Sequence, residues 1–77
     1  MNTRHAEVTL HIDEAISHEE RENFRDVLLA MEGVMAASCH DEQPHLMLIE
    51  YIPAVINSIE FVSAAKVHGL HAELIGF

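Results

Sequence analysis

Histidines, acidic side chains and one cysteine are the groups of this chain that could bind a metal ion or transfer protons. The 77 residues include seven His, 13 Asp or Glu, and a single Cys. One cysteine excludes both an internal disulfide and a metal site made of cysteines alone. Imidazoles and carboxylates together suit Zn(II), Cu(II) or Ni(II). Three sets of these residues are candidate metal sites.

The first candidate set lies on segments that alternate between apolar and polar residues. His11 belongs to the first such segment, and His71 and Glu73 belong to the last. Two imidazoles and a carboxylate on neighbouring strands would suit a divalent ion, and Glu50 on a third strand could add a ligand. The alternative is an ordinary polar sheet surface with cross-strand His–Glu pairs.

The second candidate set is a polar turn, where residues 39–45 read CHDEQPH. His40, His45 and an acid between them could converge around the turn. Cys39 cannot join His40 easily, because neighbouring residues of a regular strand point to opposite faces. The alternative is a buried small cysteine and two solvated histidines.

The third candidate is His18 with Glu19 or Glu20 and with Asp13 or Glu14. The same stretch also has the S-x-x-E pattern of a helix start. There the Ser17 hydroxyl accepts the amide of Glu20, and the Glu20 carboxylate accepts the amide of Ser17. We favour the helix start, because these two residues already account for each other.

Hydrophobic periodicity predicts the elements that must position these groups. Residues 7–13 alternate strictly and predict a strand with Val8, Leu10 and Ile12 on its buried face. A helix is predicted from Ser17 to a glycine cap at Gly33. Its buried stripe is Phe24, Val27, Leu28 and Met31, and its solvated face is Arg21, Glu22, Arg25 and Asp26.

The second half of the chain repeats this plan. Strands are predicted over residues 34–40 and 45–52, with a turn at 41–44 between them. Asn57 is predicted to cap a second helix that stops at Gly69, and a last strand follows over residues 71–77. The order predicts one α+β domain over residues 1–77, with residues 1–6 as a flexible tail. Its fold is a ferredoxin-like βαββαβ sandwich, whose four-stranded antiparallel sheet has the order 4-1-3-2 and carries both helices on one face.

Three short segments resemble the heavy-metal-associated domain family. They are residues 31–34 (MEGV), 51–53 (YIP) and 69–74 (GLHAEL), and the resemblance extends from about Val8 to Leu74. The family includes small soft-metal chaperones and the N-terminal modules of metal-pumping ATPases. The resemblance implies the same fold and a role connected with metal homeostasis.

The motif that defines this family is missing. Counted back from Gly33, the two positions of its Cys-x-x-Cys fall on Ser17 and Glu20, and Arg21 occupies the apolar position that follows. A hydroxyl and a carboxylate do not bind soft ions as thiolates do. Binding of Cu(I) in the family's way is therefore not expected. Cys39 matches a core position of the family and not its metal site.

Charge and hydropathy limit the partners. The net charge of -9 repels phosphate backbones, so we expect neither nucleic acid nor anionic membranes as partners. No run of residues approaches the ~20 apolar residues of a membrane span. The chain starts without an apolar signal region, which predicts a cytoplasmic protein.

The sheet face away from the helices carries an apolar surplus. A bare sheet face is expected to be mostly polar, so this one predicts a second copy of the chain or a partner protein packed against it. Scattered exposed aliphatic residues are the alternative. The large apolar residues of this face are Leu46, Leu48, Ile52, Ile75 and Phe77.

These observations favour a non-enzymatic binding module that acts by docking or oligomerisation. The alternative is a carrier or sensor of Zn, Cu or Ni that uses His and Glu ligands. Acylphosphatase-like chemistry is disfavoured, because the loop after the first strand is acidic and lacks glycine. A regulatory domain that binds small ligands at a dimer interface, as ACT domains do, stays open.

Overall fold

The computed structural model describes residues 4–75, which form six elements in the predicted order. The four strands form one antiparallel sheet with the order β2-β3-β1-β4, so the predicted ferredoxin-like arrangement is confirmed. Phe77 and the first three residues of the predicted tail lie outside the described residues. The elements are β1 (Ala6–Ile12), α1 (His18–Leu29), β2 (Val34–His40), β3 (Gln43–Tyr51), α2 (Ile59–Val67) and β4 (Ala72–Ile75).

One hydrophobic core lies between the sheet and the two helices. Alternation places Val8, Leu10 and Ile12 of β1 on the same face, and each is at most 1% exposed. The helices contribute their apolar stripes to the same cluster, which is why both cover one face of the sheet. The remaining core residues are Phe24, Leu28, Met47, Ile49, Tyr51, Ile56, Phe61 and Ala65.

Helix α1 ends earlier than the sequence predicts. Its last helical residue is Leu29 and not the residue before Gly33, because a turn through residues 30–33 follows. Gly33 has φ +96°, and its carbonyl accepts a hydrogen bond of 2.8 Å from the amide of Ile52. A Cβ at this position would lie 2.8 Å from Val55 Cγ1, so Gly33 leaves room for the side chains of Val55 and Ile56.

Several other predicted boundaries shift by one or two residues. The turn between β2 and β3 contains only Asp41 and Glu42, and Pro44 lies inside β3. Pro44 precedes Leu46, the first residue of β3 that pairs with β1, so its missing N–H removes no bond to that strand. Helix α2 starts at Ile59, whose amide donates to Asn57 Oδ1 over 3.0 Å. Neither helix of the described chain is long and apolar enough to cross a membrane.

Candidate functional site

The start of α1 is a closed capping box. The amide of Glu20 donates to Ser17 Oγ over 3.1 Å, and the amide of Ser17 donates to Glu20 Oε1 over 3.0 Å. These bonds lower the pKa of Glu20. The prediction of a cap is therefore confirmed, and Ser17 Oγ and Glu20 Oε1 already accept hydrogen bonds.

Arg21 is buried, and the prediction that it lies on a solvated helix face was wrong. The residue is 6% exposed. Its Nη1 donates to the carbonyl of Ile16 over 2.9 Å, and its Nη2 donates to Asp41 Oδ1 over 2.5 Å. A buried guanidinium is tolerated where such acceptors meet its donors. Arg21 thus ties the start of α1 to the turn between β2 and β3.

His18 also pairs with Asp41, the partner of Arg21. Its Nδ1 lies 2.8 Å from Asp41 Oδ1, and its Nε2 lies 3.0 Å from Glu22 Oε2. The hydrogen bond to Asp41, with the nearby carboxylate charges, raises the pKa of His18. The hydrogen bonds from His18 and Arg21 lower the pKa of Asp41. Among residues 4–75, no set of three metal ligands includes His18.

The two turn histidines lie apart. His40 is exposed at the end of β2, opposite Gln43. His45 bonds through Nδ1 to the carbonyl of Ile12 over 2.7 Å, and its ring stacks on His11 with centroids 5.7 Å apart. His45 is thus directed to β1. Neither histidine belongs to a set of three metal ligands within the described chain.

Cys39 is half-buried and packs against the core, opposite Met47 of β3. This is the core position that its sequence context implies. Glu50 lies opposite Glu7 on the outer face. It is four residues along β3 from Leu46, which lies opposite His11, so Glu50 is far from the histidine it was expected to join. In the described part of the chain, neither Cys39 nor Glu50 belongs to a set of three potential metal ligands.

His11, Asp13 and Glu73 do come together, at the end of β1. Strand register places Glu73 of β4 directly opposite His11. His11 Nδ1 lies 3.2 Å from Asp13 Oδ1 and 3.3 Å from Glu73 Oε1. Their potential ligand atoms all lie within 4.8 Å of one another. Among residues 4–75, these three form the one set of potential metal ligands that lie this close together.

Sequence reasoning named His11 and Glu73 but chose His71 as the third member. His71 instead pairs with Glu14: its amide donates to Glu14 Oε1 over 2.8 Å, and its Nδ1 lies 2.6 Å from Oε2. This pair raises the pKa of His71 and lowers the pKa of Glu14 through the hydrogen bond between their side chains. Asp13 was missed in this set, although its spacing of two residues from His11 indicates the same strand face.

Comparisons with known proteins agree on the fold. A copper-binding domain from HMA7, a P-type ATPase, superposes with a TM-score of 0.81 at 14% identity and covers 91% of this chain and 93% of its own. Oxidized MerP from Ralstonia metallidurans CH34 superposes with a TM-score of 0.84 at 14% identity, covering 95% of this chain and 100% of its own. No known family profile matches the sequence, and no curated protein matches it either.

At this level of identity the likeness concerns the fold. The chain has the fold of heavy-metal-associated domains over nearly its whole length, and the resemblance predicted from its sequence is confirmed at that level. At the start of α1, the capping-box residues Ser17 and Glu20 occupy the positions to which the sequence resemblance assigns the family's two cysteines, and the buried Arg21 follows directly.

Proposed function

We propose that this heavy-metal-associated-like domain is a non-enzymatic docking module that binds a protein partner through the outer face of its sheet. It keeps the scaffold and has lost the thiolate metal site. The observation that carries the proposal is a row across that face from Leu48 through Thr9 to Ile75, whose two apolar ends are exposed and which is bordered by acidic residues.

The start of α1 supports the loss of soft-metal chemistry. Ser17 and Glu20 satisfy each other, and the guanidinium of Arg21 lies beside them with a positive charge. Copper binding of the kind named for the HMA7 domain is therefore not proposed at this position. The side chains available elsewhere are imidazoles and carboxylates, which favour Zn(II), Cu(II) or Ni(II) over Cu(I).

The docking row consists of Leu48, Thr9 and Ile75 and runs across three neighbouring strands of the sheet. Leu48 of β3 lies opposite Thr9 of β1, and Thr9 lies opposite Ile75 of β4. Leu48 is 40% exposed and Ile75 is 41% exposed, while Leu46 and Ile52 are half-buried. Leu46 and Leu48 also line a depression of about 330 Å³. These side chains could anchor apolar groups of a partner.

Charge indicates which partner fits this row. Glu7 and Glu50 lie directly opposite each other on the outer face, an arrangement that is unfavourable without a counter-charge. A second copy would bring two acidic surfaces of net charge -9 together. We therefore favour a different protein, which presents apolar side chains flanked by Lys or Arg. The same charge disfavours nucleic acid and anionic membranes, and we place this activity in the cytoplasm.

Leu48→Glu tests the docking row. The wild-type protein and this variant would be used to retain partners from extracts of source cells, and retained proteins would be identified by mass spectrometry. A partner should be retained by the wild type and lost with Leu48→Glu. Glu50→Lys should weaken the same retention, because it reverses a charge at the border of the row. The affinity of the identified partner would then be measured with purified proteins.

Leu29→Glu is the matched control. Leu29 has a similar exposed fraction, 43%, but lies on α1 and not on the sheet. It should retain the partner, so that loss with Leu48→Glu is not a general effect of an added charge. Equal retention by both variants would contradict the proposal. A wild-type dimer in sedimentation velocity that Leu48→Glu dissociates would replace the foreign partner by a second copy.

A further inference from the structure

We propose that His11, Asp13 and Glu73 form a site for one borderline divalent cation, of the class of Zn(II), Cu(II) and Ni(II). The site lies at the end of β1, on the sheet face opposite the helices. It is separate from the position of the family's thiolates at the start of α1. It neighbours the docking row on the same sheet face, because His11 lies opposite Leu46, but it uses neither of the row's anchors, Leu48 and Ile75.

Strand geometry brings the three side chains to one point. His11 and Asp13 are two residues apart and therefore lie on the same side of the chain. The amide of Asp13 donates to the carbonyl of His71 over 2.8 Å, which extends the pairing of β1 with β4 by one step. Glu73 lies opposite His11 in that pairing. The backbone thus fixes three ligand positions before any ion binds.

The distances match a shared ion better than hydrogen bonds. His11 Nδ1 is 3.2 Å from Asp13 Oδ1 and 3.3 Å from Glu73 Oε1. Two donor atoms on one tetrahedral Zn(II), each about 2.0–2.2 Å from it, are roughly 3.3–3.6 Å apart. His11 Nδ1 is inaccessible to solvent, yet neither carboxylate meets the angles of a hydrogen bond with it. A cation between the three groups would give this buried nitrogen a partner.

The ligand set selects the class of ion. Two carboxylates match the charge of a divalent cation, and one imidazole favours Zn(II), Cu(II) or Ni(II) over Mg(II) or Ca(II). Ca(II) takes six to eight oxygen ligands, which this group does not supply. Asp13 and Glu73 side chains are 56% and 62% exposed, so further positions on the ion are open to water or to a ligand from another molecule.

Neighbouring side chains hold the site in place. The ring of His45 stacks on His11 with an interplanar angle of 17°, while its Nδ1 bonds to the carbonyl of Ile12. The pair of Glu14 and His71 fixes the entry of β4 beside Asp13. His71 and His45 are therefore positioning residues. His45 contacts the ring of His11, and the carbonyl of His71 accepts from the amide of Asp13, as outer contacts orient ligands in metal sites.

Titration of the purified full chain with Zn(II), in competition with a chromogenic chelator, tests this site. We expect saturable binding of one ion per chain. Both His11→Ala and Glu73→Gln should weaken binding at least about tenfold, since each removes a ligand. Zn(II) should also shift the amide NMR signals of residues 11, 13 and 73 and raise the melting temperature of the wild type.

Exposed His40→Ala is the matched control and should bind as the wild type does. His11 is partly buried, so its variant could lose structure; Glu73→Gln keeps size and shape at an exposed position and decides the matter. Unchanged affinity in Glu73→Gln would overturn the proposal. Equal loss in His40→Ala, or no saturable binding by the wild type, would overturn it too and leave His11 as a cross-strand ion pair without a metal.

Discussion

Nη2 of Arg21 and Oδ1 of Asp41 are 2.5 Å apart, and they join the first turn of α1 to the turn between β2 and β3. The arginine side chain is 7% exposed, whereas the aspartate side chain is 68% exposed. The two partners of this ion pair therefore depend on each other unequally. Without Asp41, Arg21 keeps a buried charge with only the Ile16 carbonyl as an acceptor; without Arg21, Asp41 remains hydrated.

This asymmetry predicts the effects of replacing each partner. Arg21→Met should cost only about 1 kcal/mol of unfolding free energy, because methionine fills the apolar part of the site. Asp41→Ala should be more destabilising than Arg21→Met, because it leaves the buried guanidinium without a negatively charged partner. The double variant should be more stable than Asp41→Ala alone. Urea denaturation of the four proteins measures this cycle, and a double variant less stable than Asp41→Ala would contradict it.

The fold could be predicted from sequence because its signals are local. Alternation over β1, the S-x-x-E pattern at Ser17 and the glycine stops each depend on a few neighbouring residues. Arg21 could not be assigned in this way. A helical pattern shows that a polar residue lies off the apolar stripe, but the turn that covers Arg21 carries its partner 20 residues later. Only the packing of α1 against β2 brings Asp41 there.

The candidate metal group shows the same limit. The strand order correctly predicted that His11 lies beside β4. The register decides which residue of β4 it faces, and that register places Glu73 opposite His11 and the backbone of His71 opposite Asp13. Glu73 and His71 are only two residues apart along the chain, yet the register makes Glu73 a candidate ligand and His71 a positioning residue. Sequence periodicity gives the face of a strand but not its register.

The two paired histidines predict a pH dependence of stability. Hydrogen bonds to Asp41 and Glu14 raise the pKa of His18 and His71, respectively, above the usual value of a histidine. A raised pKa in the folded state stabilises the protein fully below the unfolded-state value of about 6.5, and this contribution is lost as pH rises through the folded-state value. Stability contributed by these pairs should therefore decrease from pH 6 to pH 8.5.

Urea denaturation at several pH values checks this dependence. His18→Gln and His71→Gln should each show a shallower loss of stability over the same interval. The carboxylates of Asp41 and Glu14 have lowered pKa values, so their contribution is lost only in acid, as pH falls through those values. An NMR titration that finds His18 and His71 titrating below the histidines of the unfolded chain would refute the assignment.

Two glycines with positive φ predict different costs for the same substitution. Gly69 has φ +78° and open space where a Cβ would lie, so Gly69→Ala should cost about 1–2 kcal/mol from the backbone alone. Gly33 has φ +96°, and its Cβ would lie 2.8 Å from Val55 Cγ1 and 2.9 Å from Ile56 Cγ2. Gly33→Ala should therefore cost roughly 2–4 kcal/mol. Equal midpoints in thermal unfolding of the two variants would argue against close packing at Gly33.

Placing two thiolates at the start of α1 tests whether the rest of this scaffold supports soft-metal binding. In Ser17→Cys/Glu20→Cys the two cysteines occupy the positions to which the sequence resemblance assigns the family's Cys-x-x-Cys, on a scaffold with the fold of the HMA7 domain. The guanidinium of Arg21 should favour the thiolate form. We expect the double variant to hold Cu(I) against a chromogenic chelator, while the wild type does not.

Single Ser17→Cys is the control for this gain of binding, because one thiolate does not make a two-coordinate Cu(I) site. Loss of the Ser17 cap should cost the double variant about 1 kcal/mol of stability, which Cu(I) should restore because it binds the folded state. Failure of the double variant to bind, with the helix intact by circular dichroism, would mean that the ion pairs of Arg21 and His18 also oppose the metal. Asp41→Ala in that background would then separate their effect from that of the missing thiolates.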